Sequence, residues 1–498
     1  MLKVFTAQQI KALDAFSIQH EPIASIDLME RACQAFVEWL AERIDTSKKI
    51  GIVCGTGNNG GDGLGIARIL HDWGYLVKIW IIHGSVKEKE DFKTNLSRLP
   101  EKLEVMDFPT SPPADIFLSY EVLIDAIFGS GLSRSAEGIY AKAIEAVNAA
   151  PALRIAVDIP SGLFADKHSS GFVVSATYTV TFQLPKLAFM MPENNSFVGE
   201  WHVVDIGLDK SFIQNTDTLF YCLDKKSIKK ILKTRLVFSH KGDYGKALMI
   251  AGSYGKMGAC VLASRAALRA GLGLLTVHIP KSGYSILQAT VPEAMVSVYH
   301  EDEIFTDSVS LDPFDIIGVG PGIGQAKETT AALKTLLTSG KPLILDADAL
   351  NILSANLEML AVIPEGSILT PHPKEFERLT GKWKDDFERL EKQIKLAMEL
   401  KSVIILKGAR TSIASPTGAV YFNSTGNAGM ATGGSGDVLT GILTGIMAQK
   451  YSPLETAILG VFLHGMSGDL AVREKGMNSL IASDLIDFLP EAFNSVSR

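Results

Sequence analysis

Asp437 lies in the densest run of chemistry-bearing residues in the chain, GNAGMATGGSGDVLTG over positions 426–441. Val438, Leu439, Ile442, Leu443 and Ile446 follow it at helical spacing, so a glycine-rich loop feeds a helix N-terminus here. Such a start turns the N–H groups of Gly434, Ser435 and Gly436 toward an anion, and the helix dipole favours negative charge there. A carboxylate in that place repels an anionic ligand. It becomes useful when it takes the hydroxyl proton of a phosphoryl acceptor. An acid that only steadied its helix would contribute about 0.3–1 kcal/mol. The glycine density favours the base.

A second constellation lies in the first half. The strand-like Lys49–Cys54 runs into GTGNNGGDGLG, and Leu64, Ile66, Ile69 and Leu70 announce a helix. Gly55, Gly57 and Gly60 formally match a dinucleotide fingerprint. The acid expected at the end of the next strand is missing, because that strand runs out at His83-Gly84 with no acid until Glu88. Asn58, Asn59 and Asp62 instead place oxygen donors inside what reads as a glycine turn, and oxygen donors suit a cation or a sugar-rich ligand. Asp125 in LIDAIFGSG, and Asp158 with Ser161 in VDIPSG, stand at two further strand ends. Ligands of open parallel sheets gather at the carboxyl ends of strands, so these three places are expected to converge. Either acid alone could merely cap a turn. Asp158 and Asp437 are the candidate catalytic residues of the two halves.

The elements that must position these residues alternate. Thr6 and Gln9 form a capping box for a first helix, and Ile26–Ile44 carries a longer one. Strands are expected over 76–82, 122–128, 155–159, 178–182 and 202–206 in the first half. In the second they are expected over 247–251, 274–279, 316–319, 343–345, 368–370 and 403–406. The fold class is therefore α/β, with a Rossmann-like, mainly parallel sheet in the first half. After Gly207 the pattern lapses until Lys246, which puts a domain boundary near residue 216 and gives domains 1–216 and 217–498. The basic segment Lys225–Arg235 reads as a solvated linker helix. The uncharged run from Thr411 to Gly436, rich in Gly, Ser and Thr, reads as a loop system.

Composition narrows the partners. A net charge of −7 and no broad basic face argue against nucleic acid. No run is apolar enough for a membrane span, and MLKVFTAQQIKALD lacks the apolar centre of a signal peptide. Cys33, Cys54, Cys222 and Cys260 show no metal spacing, so a reduced, cytoplasmic location is expected.

Taken together, GNNGGDG, DAIFGSGL and DIPSG in the first half, and HKGDYG, AGS, GPG, TPHPKEF, KGART and GGSGD in the second, resemble the bifunctional bacterial NAD(P)H-hydrate repair enzymes over nearly the whole chain. The resemblance implies an epimerase half acting on the R and S forms of NADHX and NADPHX. It implies an ADP-dependent dehydratase half of ribokinase-like fold acting on the S form and releasing AMP and phosphate. By similarity Asn58, Asn59, Gly60, Gly61, Asp62, Gly129, Ser130, Gly131, Leu132, Ser133, Arg134, Ser135 and Asp158 would bind the hydrated nucleotide. Asn59, Asp125 and Ser161 would hold K+. Ala259, Gly322, His372 and Asp437 would contact substrate in the second half, with Lys407, Gly408, Ala409, Arg410, Thr411 and Gly436 on ADP, which would come with Mg2+. A homo-oligomer is expected. The segment LFADKHSSG after DIPSG is bulkier than the family's short acidic turn, which leaves that loop's shape open. Two other readings explain the 426–441 loop: a small-molecule kinase, which would release a stable phosphorylated product, and a nucleotide sensor, which would not need Asp437.

Overall fold

The computed structural model describes residues 1–299, 301–306 and 309–497. The chain divides into two compact units, one of residues 2–218 with 385–387, the other of residue 1 with 219–384 and 388–498.

In the first unit seven parallel strands run in the order Glu104–Asp107, Leu76–Ile81, Lys49–Cys54, Val122–Ala126, Leu153–Val157, Tyr178–Phe182, Glu200–Val204. The chain winds outward from Lys49–Cys54 in one direction and then returns to wind outward in the other. The reversal opens a crevice between Lys49–Cys54 and Val122–Ala126, where an open α/β sheet takes its ligand. Both strands bordering the crevice are buried almost throughout, as a parallel sheet covered on both faces requires. The helix Asn58–Asp72 starts at this crevice because its glycines allow backbone to lie on backbone. A Cβ at Gly60 would stand 1.7 Å from the Gly55 carbonyl oxygen, and one at Gly55 would stand 2.2 Å from that of Ile127. No larger residue fits at either position. The capping box of Thr6 and Gln9 starts the helix Ala7–His20.

The second unit repeats the design. Its strands run Phe220–Cys222, Val420–Phe422, Ser412–Ala414, Val403–Leu406, Ile368–Leu369, Leu343–Leu345, Ile316–Val319, Lys246–Ile250, Leu274–Ile279, Met295–Val298. The winding reverses between Lys246–Ile250 and Ile316–Val319, which again opens a crevice at strand ends. Three helices, Met257–Arg269, Ser435–Ala448 and Pro453–Lys475, pack through a continuous apolar core with Ala482–Ser497. Ser435–Ala448 crosses Met257–Arg269 at backbone distance. A Cβ at Gly441 would lie 2.1 Å from the Ala263 carbonyl, and one at Gly445 would lie 2.4 Å from that of Ala267.

The structure corrects several expectations. Asn58, Asn59 and Asp62 lie in the first turns of a helix, not in a loop. The strands Glu104–Asp107 and Met295–Val298 escaped the pattern because both are half-solvated edges, and edges carry charge or exposed positions in place of an apolar period. The run 411–436 contains two short antiparallel strands, Ser412–Ala414 and Val420–Phe422, that extend the sheet. Between Gly207 and Lys246 lie the helix Lys210–Asn215, the strand Phe220–Cys222 and the helix Lys225–Ile231. That last helix is not a solvated linker, since Ile228 is buried in the main core of its unit.

The helix crossing gives a measurable consequence. Gly441→Ala should destabilise the second unit by about 1–3 kcal/mol through overpacking. Gly258→Ala, where a Cβ meets open space within a helix, should be neutral or stabilising by up to about 1 kcal/mol. Urea midpoints that do not separate the two variants would contradict the packing described.

Candidate active sites

In the first unit a cavity of about 880 Å³ opens at the crevice. Its wall includes Asn58, Asn59, Asp62, the whole segment Gly129–Ser135, and Asp158. Gly60 and Gly61 are buried behind the wall, where their lack of a side chain seats the helix. Asp125 and Ser161 do not line the cavity but lie fully buried beneath Ile127 and Phe128 of its wall, as a floor under it. Asp125 is fully buried; it accepts the Ser161 hydroxyl at 2.5 Å, the Ser161 N–H at 2.7 Å and the Ile127 N–H at 3.3 Å. Burial nevertheless pushes its carboxyl up to about 6, since the groups that bind it are neutral and only partly offset desolvation. Asn59 joins this floor by donating to the Phe128 carbonyl at 3.0 Å. Ser161 bonds both Phe128 and Asp125, so Asn59, Asp125 and Ser161 converge around Phe128, as the strand-end argument expected.

Asp158 holds a left-handed backbone (φ 66°) at the end of Leu153–Val157, a conformation that a non-glycine residue keeps only where surrounding contacts enforce it. Its Oδ1 accepts from the Phe182 N–H at 3.1 Å, the Thr181 hydroxyl at 3.2 Å and the Lys186 ammonium. Lys186, 1% exposed, also donates to Thr181 Oγ1 at 2.7 Å and the Leu184 carbonyl at 3.3 Å. Neither Lys186 nor Asp14, which also lines the cavity, stood out from the sequence. Lys186 carried one usable signal: a lysine inside the apolar run LPKLAFMM, where a charge is out of place unless paired.

In the second unit Asp437 is the third residue of the helix Ser435–Ala448, whose N-cap, Gly434, is left-handed at φ 91°. The Ser435 N–H is taken by the Thr432 carbonyl at 3.4 Å, while those of Gly436 and Asp437, at the second and third helical positions, have no acceptor inside the helix. His464 supports the start, its Nε2 lying 2.9 Å from the Ser435 carbonyl; burial drives its pKa down to about 4, so the ring is neutral and donates there.

The Lys407 ammonium stands at the centre. It lies 2.7 Å from Asp346 Oδ1 and against Gly436, where a Cβ would come within 3.4 Å of it. Asp346 also accepts the Thr440 hydroxyl at 2.7 Å. Burial opposes both charges, but Asp346, Glu375 and Asp437 together hold Lys407 above its ordinary range, and Lys407 with the hydroxyls of Thr440 and Thr370 holds Asp346 below its own. Asp437 has no such partner. Burial first, and then the Asp346 charge, push it up to about 6 against a smaller pull from Lys407.

Around this centre Asp348 accepts from the Gly324 N–H at 2.9 Å, Gln325 at 3.1 Å and Lys256 at 3.3 Å. Ala347 between the two acids has φ 48°, a further strained residue at a strand end. Gly322 packs on Lys256 and Ala259 and is held by the Ser253 hydroxyl at 2.7 Å, which places Ala259 and Gly322 at the crevice. The segment Lys407–Thr411 is a tight turn closed by Thr411, whose hydroxyl donates to the Gly408 carbonyl at 2.8 Å; Gly408, Ala409 and Arg410 are exposed. His372 is first a helix cap: its Nδ1 accepts from the N–H groups of Lys374 and Glu375 at 3.1 and 3.4 Å. Its Nε2 lies 3.3 Å from Glu375 Oε1, so both ring nitrogens are engaged at this helix start. Asp346 and Asp348 were missed although DAD directly follows the strand LIL, the same strand-end position that marked Asp125 and Asp158.

Comparison with known proteins agrees with this division. Residues 25–188 match the family model described as YjeF-related protein N-terminus, and residues 247–491 match the one described as NAD(P)H-hydrate dehydratase. The bifunctional NAD(P)H-hydrate repair enzyme of Moorella thermoacetica is 39% identical across 99% of this chain and 97% of its own length. That of Escherichia coli is 33% identical across 94% of this chain and 89% of its own. A ribokinase-like superfamily protein of Enterococcus faecalis superimposes with a TM-score of 0.51 and 30% identity over 57% of this chain and 98% of its own. With both models matched in order and full-length relatives at this identity, the chain belongs to the family of bifunctional NAD(P)H-hydrate repair enzymes.

Proposed function

We propose that residues 1–216 epimerise the R and S forms of hydrated NADH and NADPH, and that residues 217–498 dehydrate the S form with ADP, releasing AMP and phosphate. The observation that carries the second activity is Asp437, a carboxylate with a raised pKa at an open helix start beside a lysine already held by another acid. The hydrated carbon bears a hydroxyl next to the ring nitrogen. Asp437 takes that hydroxyl proton as the oxygen attacks the terminal phosphorus of ADP, and AMP leaves. The nitrogen lone pair then expels the oxygen as phosphate, and loss of a ring proton restores the dihydronicotinamide. Lys407 and the N–H groups of Gly436 and Asp437 face the phosphoryl charge, with the Lys407–Thr411 turn on the nucleotide. Mg2+ would arrive with the nucleotide, whose phosphates supply much of its oxygen shell. Among the described residues no three His, Cys, Asp or Glu side chains are grouped to hold a metal by themselves.

In the first unit the cavity takes the hydrated nucleotide between Asn58, Asp62, Gly129–Ser135 and Asp158. The floor suits K+: Asp125 brings one full charge, and Asn59, Ser161 and the Phe128 carbonyl bring neutral oxygens, too little charge for a tightly held divalent ion. Bound K+ would supply the positive charge that the buried Asp125 lacks. A cytoplasmic homo-oligomer acting on small molecules completes the reading. Four buried free thiols and the net charge of −7 support the compartment and the small-molecule partners. No helix among the described residues is long and apolar enough to cross a membrane.

Replacing K+ by a bulky organic cation should lower the epimerisation rate and the melting temperature of the first unit; indifference of both would remove K+ from the account. Asp437→Asn should lower dehydration about 10²- to 10⁴-fold while nucleotide binds as well or better, because a negative charge near the phosphates is gone. Wild-type dehydration should fall as pH drops through about 6, where Asp437 takes up its proton. Because folding raises this pKa from 3.8, the ionised carboxylate weakens the fold above about pH 6 and not below its unfolded value. The Asn variant should therefore be the more stable protein near pH 8, with the difference lost below pH 3.8. A simple kinase would instead accumulate a phosphorylated product, whereas repair yields dihydronicotinamide, AMP and phosphate in equal amounts. Wild-type rates in the variant under single-turnover conditions would leave the 426–441 loop as a nucleotide clamp only.

A further inference from the structure

The helix Ala7–His20 lays one face along the first-unit cavity. Ala7, Ile10, Lys11, Asp14 and Ile18 line it at helical spacing, and Asp14 is the single carboxylate of that stripe. The helix is fixed in place: its capping box sets its start, the Ala7 N–H donates to Asp166 at 3.0 Å, and Leu13 and Ser17 are buried behind Asp14. Asp14 thus projects into the cavity from a rigid element.

The neighbouring charges set its state. Asp158 is the nearest acid in electrostatic terms and is already paired with Lys186, the buried cation of this site. Asp62, from the helix Asn58–Asp72, is pushed well above the usual carboxylate range by burial and then by Asp158 and Asp14. Burial, with Asp158 adding to it and Lys186 opposing it, raises Asp14 to about 6. One lysine cannot neutralise all three acids, so burial and the neighbouring negative charge favour the protonated form of Asp14 and Asp62. Lys11, Lys89, Asp91, Arg134 and Glu137 are the other charged groups that line the cavity.

We propose that Asp14 is a catalytic residue of the epimerase site, the acid that protonates the departing hydroxyl of the hydrated ring. This inference rests on the epimerase reading of the first unit. The neutral Asp14 carboxyl gives its proton to the hydroxyl oxygen and the C–O bond breaks. The ring nitrogen lone pair forms the C=N bond, and water and a planar cation result. Water adds to the opposite face of that cation: a new C–O bond forms, the C=N electrons return to nitrogen, and the surplus O–H proton passes back to the Asp14 carboxylate. Substrate and protein end with the atoms and protons they began with, and only the configuration at the carbon has changed. Asp158, tied to Lys186, remains the charged group that favours the cation.

The test compares wild type, Asp14→Asn and Asp14→Ala on pure R hydrate, following the R to S ratio and the exchange of the hydroxyl oxygen with labelled water. Asp14→Asn should lower kcat for epimerisation about 10²- to 10⁴-fold with KM changed only a few-fold. Label should enter the wild-type product in step with inversion, and formate should restore part of the activity of Asp14→Ala. Unchanged melting temperatures identify variants that fold. A rise in KM at constant kcat would make Asp14 a binding group and overturn the proposal, as would wild-type turnover in the Asn variant or inversion without label uptake. If wild type itself does not interconvert the hydrates, it is the epimerase reading that fails.

Discussion

One ammonium among several carboxylates, buried in the first unit and partly buried in the second, organises each half of this protein. In the first unit Lys186 is taken by Asp158, and in the second Lys407 is taken by Asp346. A buried ion pair holds its members in place, because removing either leaves an uncompensated charge at a loss of about 3–5 kcal/mol. The lysine is then committed, and further acids of the same site that pair with no other cation are left to burial and to their neighbours' charge. Asp14 and Asp437 are those further acids, and both are pushed up to about 6. A carboxyl poised near neutral pH can take or give a proton, so charge imbalance in a closed crevice generates acid–base chemistry without any special residue type.

The sheets explain why the imbalance falls where it does. Each sheet reverses its winding once, beside its first internal strand, and side chains at the ends of the flanking strands must share the resulting crevice. Asp125 and Asp158 end adjacent strands of the first sheet, and Asp346 ends a strand of the second. Backbone strain at Asp158 and Ala347 marks the cost of turning such groups inward. Glycine supplies the remaining freedom. Gly60 lets a helix start touch a strand-to-helix turn, and Gly441 lets the helix carrying Asp437 lie against its neighbour at backbone distance.

Strand-end acids and glycine-flanked helix starts were readable because they follow from local rules: an apolar run, a break, then a polar residue. That rule picks out Asp125, Asp158, Ser161 and Asp437 as candidates. The same rule applied to LILDAD would have produced Asp346 and Asp348. Lys186 and Asp14 were hidden for a different reason. Asp14 sits in an ordinary helix, and its significance comes from the charges of Asp158 and Lys186, more than a hundred residues away, which spacing cannot reveal. The edge strands Glu104–Asp107 and Met295–Val298 were hidden because partly exposed strands are shaped by solvent as much as by the core. The cap role of His372 was likewise invisible, since PHPKE reads equally as a ligand turn and as a helix start.

The most direct test of two coupled sites in one chain is the near-ultraviolet absorbance of the dihydronicotinamide ring, followed from pure R hydrate with the full-length protein. With ADP present, absorbance should recover completely, the R form being converted in the first unit and consumed in the second; without ADP it should not recover at all. Recovery that requires added S hydrate, or that proceeds without ADP, would contradict the account.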